Sequence, residues 1–64
     1  MSLRFRTECN KRSKYFDVIS EAYKHFYKCI AERKSVELWA VGITKENGKK
    51  FTAIQELVDC AYFS

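Results

Sequence analysis

The chain has 64 residues, 47% of them apolar, with ten aromatics, no proline and a formal charge of +4. That composition excludes a disordered chain away from the ends. The length confines it to one domain, residues 1–64, which buries only about 60% of the surface its unfolded form exposes.

Leu3-Arg4-Phe5-Arg6-Thr7-Glu8 alternates apolar and polar, the period of a half-buried strand. Leu3 and Phe5 are expected to face a core, with Arg4 and Arg6 on the other side. Asn10-Lys11-Arg12-Ser13 breaks the pattern, and Ser13 reads as the N-cap of a helix running to about Lys34. Phe16, Ile19, Tyr23, Phe26 and Ile30 recur at three and four residues, widened into a broad stripe by Tyr15, Val18, Ala22 and Cys29. Asp17, Glu21, Lys24, Lys28 and Glu32 take the opposite face, and Arg33-Lys34 suits the helix C-terminus.

Val36 to Thr44 is apolar on both faces, with Val36, Leu38 and Ala40 on one and Trp39, Val41 and Ile43 on the other. Such a strand belongs in the middle of a sheet. Asn47-Gly48 is a strong hairpin signal, since a type I′ turn needs positive φ at both central residues. The chain returns through Lys49-Lys50-Phe51. Thr52-Ala53-Ile54-Gln55 reads as a capping box. Ile54, Leu57, Val58 and Ala61 follow at helical spacing, predicting a second helix. The expected fold is α+β in the order β-α-β-β-α, a three-stranded mixed sheet with two helices on one face.

Charge sharpens this expectation. Residues 1–14 hold five cations against Glu8 alone, and the hairpin tip 45–50 holds three against Glu46. A long helix between the first two strands permits a right-handed crossover, which would make those strands parallel. Both basic loops would then meet at one sheet edge beside a helix N-terminus, whose free N–H groups favour an anion. The expected anion or nucleic-acid contact comprises Lys11, Arg12, Ser13, Lys14, Lys45, Lys49 and Lys50, with Arg4 and Arg6 nearby. The plain alternative is that lysines at a hairpin tip only keep it solvated.

The other expected surface is apolar. Two helices on one face leave the second face of the sheet open, lined by Val36, Leu38 and Ala40 or, in the reverse assignment, by Trp39. An exposed patch of this kind favours a protein partner or a homodimer.

Hidden chemistry is sparse. His25 and Cys29 stand four apart on the helix, but no close ligand pair such as C-x₂-C accompanies them, so no metal is expected. A Cys–His catalytic pair would need an orienting group and an oxyanion pocket. The two glycines lie in the hairpin region, so no phosphate-cradling loop exists. No catalytic residue, cofactor or small-molecule substrate is expected.

Three cysteines are an odd number and do not make a disulfide framework. The N-terminus lacks the apolar run of a signal peptide, and Leu38 to Ile43 is too short to span a bilayer. A reducing cytosol follows, of a bacterium or an infected host cell. In size and composition the chain resembles small accessory proteins of bacteria and their phages. The expected function is non-catalytic binding of a macromolecule, first a protein through the open sheet face or basic edge. Nucleic-acid binding through the basic loop, helix N-terminus and hairpin tip is the alternative.

Overall fold

The computed structural model describes residues 2–63. Five elements run in the order β1 (Ser2–Cys9), β2 (Arg12–Phe16), α1 (Ile19–Ala31), β3 (Val36–Glu46) and β4 (Lys49–Ala61). The strands form one sheet, β2-β1-β3-β4, in which every neighbouring pair is antiparallel. The fold is α+β, but the expected three-stranded mixed sheet with two helices is overturned. It is a four-stranded antiparallel sheet with one helix, β-β-α-β-β.

The first departure begins at the turn after β1. Cys9 pairs with Arg12 across Asn10 (φ 51°) and Lys11 (φ 65°), both at the positive φ of a type I′ turn. Residues 12–16 therefore fold back along β1 instead of opening the helix. Ser13 lies in β2 opposite Glu8 and caps nothing. Val18, in extended conformation, stands at the helix N-cap without a side-chain cap.

This extra strand also removes the parallel pairing of β1 with β3. The helix does form a crossover, but from β2 to β3, which run parallel to each other with β1 between them.

The second departure is β4, where a helix was expected. Its register against β3 slips at two bulges, between Leu38 and Trp39 and between Gly42 and Ile43. Each leaves one β4 residue without an opposite partner, Val58 in the first case and Ala53 in the second. An inserted residue stretches the two-residue side-chain period to three. The spacing Ile54, Leu57, Val58, Ala61 thereby mimics a helix inside a strand.

The core lies between α1 and one face of the sheet. Ala22, Phe26 and Cys29 pack on Val36 and Leu38, with Phe5, Cys9, Phe16, Tyr23, Ile30 and Ala61 around them. The helix ends in a Schellman motif: the Arg33 N–H donates to Ile30 O and the Lys34 N–H to Cys29 O, both at 2.9 Å, with Arg33 at φ 57°.

The helix covers β1, β2 and β3. It reaches toward β4 through Tyr23, whose hydroxyl donates to Asp59 Oδ2 at 3.4 Å. Beyond Ile43, β3 and β4 continue without β1 as a two-stranded ribbon ending at Asn47-Gly48. The molecule measures 41 × 21 × 16 Å, with a radius of gyration of 12.4 Å, against roughly 10.7 Å for a compact chain of this length.

Candidate functional site

The pleat assigns each side chain to a face. Phe5, Thr7, Cys9, Val36, Leu38 and Ala40 point toward α1; Arg4, Arg6, Glu8, Glu37, Trp39 and Val41 point away. On the face away from α1, Trp39 is partly buried and Val41 fully buried. Val36 and Leu38 are core residues, 1% and 0% exposed, and present no surface to a partner. Ala40 shares their face, and Trp39 stands on the open one.

The basic residues do not converge. Cys9 pairs with Val36 at one end of the sheet and Ser2 with Ile43 at the other, beyond which the ribbon extends. Lys11, Arg12, Ser13 and Lys14 sit at the first end; Lys45, Lys49 and Lys50 sit on the ribbon at the second. The ten residue steps from Val36 to Glu46 span about 33 Å. Antiparallel pairing of β1 with β3 is the physical reason, and α1 begins at Ile19 rather than at Ser13.

Arg4 and Arg6 are occupied on the open face. Arg4 stacks over Tyr15 at 5.4 Å and Arg6 over Trp39 at 5.6 Å. Arg4 Nε lies 2.9 Å from Asp17 Oδ1, and Arg6 Nε lies 3.1 Å from Glu8 Oε1. Neither contact is aligned as a hydrogen bond, so these are ion pairs held by charge. Arg6 Nη2 also donates to Gln55 Oε1 at 3.0 Å. Trp39 Nε1 donates to Glu37 Oε1 at 3.3 Å. The Tyr62 hydroxyl donates to the same carboxylate, which pushes its pKa up to about 12. The open face is a self-paired layer of aromatics and ions rather than a bare cationic platform.

The exposed apolar surface lies instead along β4. Phe51, Ile54, Leu57 and Val58 are 46%, 58%, 44% and 40% exposed. Ile54 lies on the helix side and Leu57 on the open side, so both faces of the strand are involved. β4 is thirteen residues long and has a neighbour on one side alone, so its outward N–H and C=O groups lack a sheet partner. The opposite edge, β2, is five residues long and carries Arg12 and Lys14, features that blunt an edge. Sequence reading missed this surface because the bulges disguised the strand. The usable signal was Asn47-Gly48, which demands a returning strand paired to β3.

A polar cluster lies between α1 and the β1–β2 hairpin. Thr7 Oγ1, fully buried, shares a 2.7 Å hydrogen bond with His25 Nδ1, and His25 Nε2 lies 3.9 Å from Cys29 Sγ. Cys9 lies beside Cys29, and the group borders an open cavity of about 630 Å³ lined also by Arg12, Lys14, Lys28 and Lys34. The order of groups is that of a nucleophile, a base and an orienting hydroxyl, but the electrostatics oppose it. Burial, then contact with Cys9, pushes the Cys29 thiol up to about 11, whereas a reactive cysteine needs its pKa lowered. Burial, then Lys14 and Lys28, lowers the pKa of His25. Among the described residues, no three His, Cys, Asp or Glu side chains are placed to hold a metal ion. Nor is any helix of the described residues long and apolar enough to cross a membrane.

No protein-family model, curated protein or solved structure matches this chain.

Proposed function

We propose that this protein is a non-catalytic binding module that engages a protein partner by adding a strand to β4. The observation that carries this reading is the pairing of a long, unpartnered edge with four large apolar side chains exposed along it. Main-chain groups of an edge strand supply affinity, and side chains on its two faces supply selectivity. Trp39 on the neighbouring β3, stacked with Arg6, flanks the edge on the open face and extends the contact surface. The three unpaired cysteines and the lack of a disulfide framework support a reducing cytosol as its setting.

Nucleic-acid binding is the second reading, supported by the projecting ribbon with Lys45, Lys49 and Lys50 near its tip. A two-stranded ribbon fits a major groove. The separation of the two basic groups and the internal pairing of Arg4 and Arg6 weigh against it.

Affinity capture with the native chain and with Ile54→Lys as baits, each with and without nuclease, tests the proposal. A nuclease-resistant protein retained by the native bait and lost by the variant is expected. Retention that disappears with nuclease and ignores Ile54 would transfer the function to nucleic acid.

A further inference from the structure

We infer that the partner of β4 is β4 of a second copy of this chain, paired antiparallel about a two-fold axis near Gln55 to give a continuous eight-stranded sheet. This inference rests on the proposed role of β4 as a binding edge and names its occupant.

Charge along the strand is the first argument. β4 begins with Lys49-Lys50 and carries Glu56 and Asp59 in its second half. With the axis at Gln55, Lys49 falls diagonally across from Asp59 of the second copy on the same face, and symmetry makes that contact twice, while Glu56 lies opposite Ile54. A parallel arrangement would set like charges together.

The unequal edges are the second argument. Pairing β4 with the short basic β2 of another copy would be heterologous, propagating into a ring or a filament. Pairing β4 with itself matches two strands of equal length, consumes both adhesive edges and stops at two. The remaining edges are the two β2 strands, already blunted by charge.

Surface area is the third. The molecule exposes 4811 Å², while a compact monomer of 7.6 kDa exposes roughly 4300 Å². α1 reaches β4 near Asp59 and Ala61, and the rest of the strand and the ribbon stays exposed. Ile54 lies on the helix side, beyond the part of β4 that Tyr23 reaches at Asp59. A second copy brings its own Ile54 close to it.

Sedimentation equilibrium of the purified chain at about 100 μM, far above a micromolar dissociation constant, is the direct test. A mass of twice the monomer is expected. Lys49→Glu, and separately Asp59→Lys, should each weaken the dimer by about tenfold or more, since the charge contact occurs twice. Combining both reversals should restore it. Circular dichroism identifies any variant that fails to fold, and in that case concentration-dependent hydrogen-exchange protection of β4 in the native chain takes its place.

A native chain that is monomeric, with β4 amides unprotected at high concentration, overturns the inference. If such a monomer still captures a protein in an Ile54-dependent manner, the binding role of β4 stands with a different occupant. A dimer indifferent to every β4 substitution overturns both.

Discussion

His25 shows how one residue ties packing to solution conditions. Burial and the nearby Lys14 and Lys28 lower its pKa, while Glu32 pulls weakly the other way. The folded value lies below the unfolded one near 6.5, so folding favours the neutral imidazole. The resulting stability is present above about pH 6.5 and is lost as pH falls through the lower folded value. Urea unfolding midpoints should drop between pH 7.5 and 5, and the drop should be shallower in His25→Gln; parallel profiles would reject this. Lys11 makes a second residue-scale case. It occupies φ 65° on the surface of the β1–β2 turn, where a side chain costs about 1 kcal/mol relative to glycine. Lys11→Gly should raise the melting temperature by about 4–8 °C in a domain of this size, measurable by thermal circular dichroism.

Elements differed in how openly the sequence declared them. β1, β3 and the Asn47-Gly48 turn were legible because alternation, two-sided hydrophobicity and a positive-φ dipeptide are each local signals. The body of α1 was legible from the spacing of Ala22, Tyr23, Phe26 and Ile30. Its start was not, because Tyr15 and Phe16 satisfy both a helical stripe and a strand. What decides between them is the Asn10-Lys11 turn, whose lysine hides a type I′ geometry usually announced by glycine. β4 was illegible for a different reason: two bulges erased its period, and Thr52 and Gln55 imitated a helix cap. The surface read from sequence failed in step, since Leu38 lies under α1 and the adhesive residues lie on the misread strand. Leu38, fully buried where α1 crosses β3, is the element-scale test. Leu38→Ala should cost about 2–5 kcal/mol, a large share of the roughly 5–15 kcal/mol that holds a domain together. Urea titration should show the midpoint collapse, and a loss below about 1 kcal/mol would mean the core lies elsewhere.

At the scale of the whole molecule, charge and shape point apart. Basic residues collect at both ends of a 41 Å body, and the face between them neutralises its own arginines. Such a distribution does not track a phosphate backbone. Duplex DNA retention should therefore be weak and nearly unchanged when Lys45, Lys49 and Lys50 become alanine. If the native ribbon instead releases counterions through those three lysines, its logarithmic salt slope would approach about −2.7 and flatten in the triple variant. Binding isotherms at several salt concentrations distinguish these outcomes.

The tip of the ribbon touches nothing but its own hairpin: a methyl group placed on Gly48 would meet no atom within 4 Å. The tip therefore has room for a probe away from the hydrophobic centre. A spin label on Glu46→Cys, in a background with Cys9→Ser and Cys60→Ser, would turn the ribbon into a molecular ruler. Two copies joined strand to strand would hold their labels about 4 nm apart on opposite flanks, a distance pulsed electron resonance reads directly.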